Sequence, residues 1–267
     1  MRMRPVLAIV LRQFYLMRGS PTRILPMFAW VGIDIVLWGF ISRYLNSVGH
    51  AGVDFVPQLL GAVLFWDFFT RVMQGVTMAF FEDVWSHNFL NVFATPLTIG
   101  EYVSGLVLTS IGTSLLGLVV MLVLATGVFG LQYAALGWWL LPYLTVLFLF
   151  GIALGVFASG MVLRLGPASE WLVWPIPALL APFAGVFYPL ATLPAWMQAA
   201  AHALPPSYVF EGIRTLLAGR PPDVRGLLVG LLLAIVQILL AAWAFRRIYQ
   251  HAVRSGLLAR YSAESSG

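Results

Sequence analysis

Apolar positions fall in long blocks along this chain, and the breaks between blocks set its architecture. Nearly continuous apolar runs occupy residues 24 to 45, 57 to 81, 101 to 127, 138 to 163, 171 to 190 and 226 to 245. Each is close to the roughly 20 residues that cross a hydrocarbon core as a helix. The pattern predicts an all-α polytopic membrane protein with six transmembrane helices. The stretch before them, MRPVLAIVLRQFYLMR (3 to 18), has a helical period instead, with Leu7, Val10, Phe14 and Met17 on one face and Arg4 and Arg12 away from it. That predicts an amphipathic interfacial helix, the alternative being an extension of the first span. Gly19, Ser20 and Pro21 favour a break, as a stop, an N-cap and a first-turn proline.

Two connections are longer than a turn requires. In EDVWSHNFLNVFATPLTIGEY (82 to 102), residues 82 to 93 predict a short helix that carries Val84, Trp85, Phe89, Leu90 and Phe93 among Asp83, His87, Asn88 and Asn91. Ala94, Thr95 and Pro96 close it. Such a helix fits a groove on a partner protein. The alternative is a helix resting on lipid, but those usually carry Lys or Arg, and this one carries two acids.

The second long connection opens FYPLATLPAWMQAAAHALPPSYVFEGIR (187 to 214), where Pro189, Pro194, Pro205 and Pro206 cut an apolar run into pieces. A helix over 195 to 204 would span about 15 Å, against a core of about 30 Å. A second helix is expected from Pro206 and Ser207 to Gly219, with Glu211 and Arg214 paired one turn apart. Broken backbone at membrane depth persists only where protein packs around it or it lines a cavity. A clamp and a contact with substrate are both open readings of that pair.

Composition narrows the function. The 267 residues are 61% hydrophobic and 9% charged, with a mean hydropathy of +0.91, where a soluble domain has about 25% charged residues. One membrane domain, 1 to 267, accounts for the chain: interfacial helix 1 to 20, a long inner connection over 82 to 97, external helices 191 to 224 and tail 246 to 267. There is no cysteine, and all 15 basic residues are arginine. A Walker A loop and a Schiff-base cofactor both need lysine, so nucleotide energy is expected from another polypeptide, and thiol chemistry is excluded.

The net charge of +5 is not a nucleic-acid patch. Its arginines gather at Arg2, Arg4, Arg12, Arg18 and Arg23, and at Arg246, Arg247, Arg254 and Arg260. The positive-inside rule then puts both termini and 82 to 100 in the cytoplasm and 191 to 224 outside. No removable signal peptide is expected, because no short apolar region followed by a small-residue cleavage site precedes the first span.

Ionisable residues within spans are candidates for a transport path. Asp34 lies mid-span with Trp30 and Trp38 one turn to either side. The three would form an aromatic and acidic wall, unless Asp34 makes a buried hydrogen bond. Asp67 and Arg71, at i and i+4, read as mutually neutralising, and Glu101 as a helix-start acid favoured by the dipole. Gly151 and Gly155 form a G-x-x-x-G packing device.

The run NVFATPLTIGEYVSG (91 to 105) resembles the ABC-2 type transporter permeases, in which a cytosolic coupling helix is followed by a small residue, Thr-Pro-Leu and a Glu near the third span. Gly185 to Leu190, Leu193 to Trp196 and Pro205 to Arg214 are similar to that family's G-x-F-Y-P-L, L-P-x-W and P-x-x-Y-x-x-E-x-x-R-like blocks. The chain departs from the pattern in lacking basic residues before the coupling helix.

The resemblance implies short re-entrant helices between spans five and six, and a permease of an ATP-driven exporter in a bacterial inner membrane. It also implies a second copy of the chain, and two copies of a P-loop ATPase subunit that hold ATP and Mg. Asp83, Trp85, His87, Phe89, Thr95 and Pro96 would couple to the ATPase, and Tyr188, Pro189, Glu211 and Arg214 would form an external gate or clamp. Trp30, Asp34 and Trp38 would line the path of an amphiphile such as a lipid-linked glycan, lipid or drug. The competing reading, an intramembrane transferase, lacks a reactive cluster: His50, His87, His202 and His251 lie at loops or ends.

Overall fold

The computed structural model describes residues 2–19, 21–48, 56–86, 92, 95–131 and 137–255, with backbone alone at 21–24 and 26–28. Every regular element among them is helical: α1 (Met3–Arg18), α2 (Pro21–Val48), α3 (Gly61–Trp85), α4 (Ile99–Phe129), α5 (Leu140–Leu165), α6 (Ile176–Ala184), α7 (Ala195–Ala201), α8 (Pro205–Leu217) and α9 (Val224–Arg254). A π-turn at Val56–Leu60 leads into α3, and 3-10 turns occupy Gly137–Trp139, Pro167–Leu172 and Leu190–Thr192.

Four stretches, Val56–Trp85, Ile99–Phe129, Gly137–Leu165 and Val224–Arg254, are long and apolar enough to cross a membrane. α2 has 28 residues, a length of about 42 Å at about 1.5 Å per residue.

α5 is the inner helix, packed between α9 and α3. α4 follows on the far side of α3, and α1 and α2 lean on α4. Small residues permit this close packing. A Cβ added at Gly151 would stand 2.8 Å from Val72 Cβ, and one at Gly155 would stand 2.8 Å from the Met73 carbonyl oxygen. The G-x-x-x-G pair therefore sets α5 directly against the backbone of α3. Aromatic rings fill the seams, with Phe69 stacked on Phe150 at 5.2 Å and Phe80 edge-on to Phe245 at 6.4 Å.

The helix ends sort into two layers. Arg2, just before α1, bonds Glu101 at the start of α4, Trp85 at the end of α3 bonds Glu170, and Gly160 of α5 packs on Phe245 of α9. These contacts put α1, the two ends of the 86–98 connection, and the C-terminal ends of α5 and α9 in one layer, here called the near end. Arg43 of α2 donates to the Val128 carbonyl at the end of α4, and Tyr143 of α5 touches Gly212 of α8. Those residues mark the far end. Residues 2 and 254 therefore lie at the same end of the bundle.

The expected fifth span, 171 to 190, is not one helix. The chain runs from Glu170 at the near end to Gly185, bonded to Arg214 at the far end, but does so in pieces: the 3-10 turn Pro167–Leu172, a turn, then the nine residues of α6. Pro175, Pro177 and Pro182 remove backbone donors along this stretch. Gly185, at φ +62°, ends α6 in a left-handed conformation that favours glycine.

The two short helices expected next are present. α7 covers 195–201, and α8 begins with Pro205 and Pro206 in its first turn and ends before Gly219. α1 also ends where expected, at Gly19, and α2 begins at Pro21, with Ser20 outside the described residues. α1 buries Val6, Ile9 and Gln13 against the bundle and leaves Leu7 and Phe14 exposed on the face its period singles out.

Candidate functional site

α3 carries one stripe of functional groups at three-and-four spacing: Asp67, Arg71, Gln74, Met78, Glu82 and Trp85. On an α-helix these fall on one side, and from Asp67 to Trp85 the stripe is about 27 Å long at about 1.5 Å per residue. It faces a cavity of about 810 Å³. Trp30 and Asp34 of α2, Gln13, Leu16 and Met17 of α1, Thr109 and Thr113 of α4, and Trp174 complete the wall. The cavity reaches from ionisable groups in the middle of the spans to Glu82 and Trp85 at the near end.

Three ionisable groups, Asp34, Asp67 and Arg71, line its middle part. Asp34 and Asp67 act electrostatically on each other and on Arg71, so the expected Asp67–Arg71 pair is in fact part of a triad with Asp34. The Asp67 Oδ2 atom is buried and has no hydrogen-bond partner among the described residues.

Trp38 does not join this wall. It stacks on Phe187 beyond α6, with centroids 5.1 Å apart and an interplanar angle of 12°. The reason is rotation: at 3.6 residues per turn, eight positions separate Trp30 from Trp38 by about 80° around the helix. The expected three-residue face thus reduces to Trp30 and Asp34.

At the near end, the connection between α3 and α4 is anchored on both sides by α1. Asp83 is buried, with Oδ1 accepting from Arg12 and Oδ2 from the Tyr102 hydroxyl at 2.7 Å. Asp83 was expected to couple to an ATPase, and its carboxylate is buried as an internal anchor between α1 and α4. On the other side, Thr98 and Glu101 form a capping box: Glu101 N–H donates to Thr98 Oγ1 at 3.3 Å and Thr98 N–H donates to Glu101 Oε2 at 3.0 Å. Arg2 donates to Glu101 Oε1 through its backbone N–H at 2.9 Å and its Nε at 3.2 Å, and its guanidinium also reaches the Pro96 carbonyl.

Trp85 is half exposed, and its Nε1–H donates to Glu170 Oε2 at 2.7 Å. Thr95 and Pro96 are exposed at the same end, with Thr95 Oγ1 donating to the Val92 carbonyl at 2.6 Å. His87 and Phe89 lie outside the described residues.

At the far end, Glu211 and Arg214 pair at 3.0 Å, and each also grips the segment after α6. Glu211 Oε1 accepts from Leu190 N–H at 2.7 Å, while Arg214 donates to the Gly185 carbonyl at 2.7 Å. Tyr188 donates to the Pro182 carbonyl at 2.8 Å, and the Pro189 carbonyl accepts from Thr192. The four residues named from the sequence thus sit in one knot between α6 and α8.

The sequence reading missed Arg2, Arg12, Tyr102 and Glu170 as tying residues. Thr98-x-x-Glu101 is a recognisable capping-box pattern, whereas the Arg12–Asp83 pair spans 71 positions and leaves no local signal.

Long apolar helices around a deep ionisable cavity define a multi-pass membrane protein of the transport class. The family model for the ABC-2 type transporter matches residues 5–218, and the chain belongs to that family. It is therefore a permease subunit of an ABC transporter, in a family that generally pairs with a P-loop ATPase subunit. No curated protein matches the chain.

Proposed function

We propose that the chain is the membrane half of an ATP-driven exporter in a bacterial inner membrane. Two copies, with two P-loop ATPase subunits that hold ATP and Mg, would move an amphiphile from the cytoplasmic side outward. The observation that carries this reading is the continuity of the α3 stripe, from the Asp34–Asp67–Arg71 triad to Trp85 beside the connection whose Thr95 and Pro96 are exposed. A ligand site and a partner-facing surface share one helix.

Force from an ATPase on the 86–98 connection passes directly into α3. The Arg12–Asp83 and Arg2–Glu101 pairs make α1 move with it. A rigid α3 then alters the cavity whenever the connection shifts, so nucleotide can bias inward- and outward-open states that bind it unequally. The Glu211–Arg214 knot would close the far end.

The test is isolation of the tagged chain from its native membrane, followed by transport into inverted vesicles. A P-loop ATPase is expected to copurify, and the double replacement Trp85→Ala and Phe89→Ala is expected to uncouple ATP hydrolysis from uptake. Recovery of the chain without any ATPase, or uptake indifferent to ATP, would sink the proposal.

A further inference from the structure

We propose that the cavity selects a cationic amphiphile, a bulky apolar body bearing a positive charge. This deepens the exporter reading and rests on it. Among the described side chains that line the middle of the cavity, two are carboxylates, Asp34 and Asp67, and one is a guanidinium, Arg71. Where two carboxyls share one guanidinium in a buried setting, the second is stable in its charged form only beside a further cation. A charge in a low-dielectric setting interacts far more strongly than in water, and salt screens it little. Asp67 also holds its buried, unbonded Oδ2 there. A ligand cation would supply the missing counter-charge and give that oxygen a partner.

The rest of the wall suits such a ligand. Trp30, Trp85 and Trp174 bring indole rings, the aromatic side chain on which cations bind best, and Met17 and Met78 give adaptable apolar contact. The volume of about 810 Å³ lies within the range of about 300–1,000 Å³ usual for small-ligand sites. An anionic amphiphile, such as one with a phosphate-linked headgroup, meets the same acidic excess as repulsion. Selection by repulsion of the wrong charge is as effective as attraction of the right one.

Two probes of the same shape and opposite charge, tetraphenylphosphonium and tetraphenylborate, separate charge from bulk. Equilibrium dialysis of each against the purified full chain in detergent is expected to give saturable phosphonium binding, at least about tenfold tighter than borate, as placement against an uncompensated carboxylate implies. Asp67→Asn, near-isosteric and one charge poorer, should lose most of that preference. Asp34→Asn is a second variant should the first fold poorly, and the unmodified chain alone already decides between the probes.

Borate bound as tightly as phosphonium would overturn the charge selection while leaving the exporter reading intact. No saturable binding of either probe would overturn the proposal as well. Failure of the exporter reading is seen separately, as the absence of an ATPase in the native complex whatever the probes do.

Discussion

One oxygen of Asp83 accepts from Arg12 and the other from Tyr102, in a setting that leaves the residue 1% exposed. Removing Asp83 strands the buried Tyr102 hydroxyl, at a cost of about 1–3 kcal/mol, and leaves the part-buried Arg12 unpaired. Asp83→Ala is therefore expected to lower the thermal unfolding midpoint of the purified chain sharply. Tyr102→Phe, which deletes one hydrogen bond to a charged group, should cost about 1.5–3 kcal/mol. A midpoint unmoved by Asp83→Ala would refute the anchoring role. Arg2–Glu101 is a weaker tie, because Arg2 is largely exposed and exposed pairs contribute about 0–1 kcal/mol. At this scale the sequence was legible for Asp34, whose depth in a span marks it, and for Glu211 and Arg214, whose spacing pairs them. It was not legible for Asp83, because burial of its carboxylate depends on α1 folding back over α3, and no single-helix period records that.

Small residues decide how the elements meet. Gly151→Ala would drive a Cβ into Val72, and Gly155→Ala would drive one against the Met73 carbonyl, both at 2.8 Å. Overpacking of this kind costs about 1–3 kcal/mol. Gly112→Ala in α4 is the control, since nothing lies within 4 Å of its added Cβ. The expected outcome in detergent melts is loss of stability for the two α5 variants and none for the control. Equal stability of all three would show that α3 and α5 do not depend on the close approach. The starts of α7 and α8 and the end of α8 were readable because proline and glycine punctuate them locally, whereas α7 stops at Ala201, short of the expected 204. The 171–190 stretch misled for the complementary reason: its apolar composition matches a span, while Pro175, Pro177, Pro182 and Gly185 break it into a 3-10 turn and the nine residues of α6. The α3 stripe was also present in the sequence, at 67, 71, 74, 78, 82 and 85, but only the partner helices show that it lines an open cavity.

For the whole molecule, the two-layer arrangement of helix ends turns a statistical argument about charge into a geometric one. Arg2, Arg4, Arg12, Arg18, Arg164, Arg246, Arg247 and Arg254 belong to helices or helix ends of the near layer, whereas Arg43, Arg214, Arg220 and Arg225 belong to the far layer. Arg164, in the last turn of α5, falls in the near group. Applied to these layers, the positive-inside rule predicts a cytoplasmic near end, with α1, Thr95 and residue 254, and an external α6–α8 knot. The chain has no native cysteine, so single introduced thiols report without background. Thr95 and Thr192 are both exposed, one in each layer. In intact spheroplasts an impermeant maleimide is expected to label Thr192→Cys, and to label Thr95→Cys only after the membrane is opened. The opposite pattern would invert the molecule in the membrane. It would move the Thr95–Pro96 surface away from any cytosolic ATPase, and the coupling proposed for α3 would have to be abandoned.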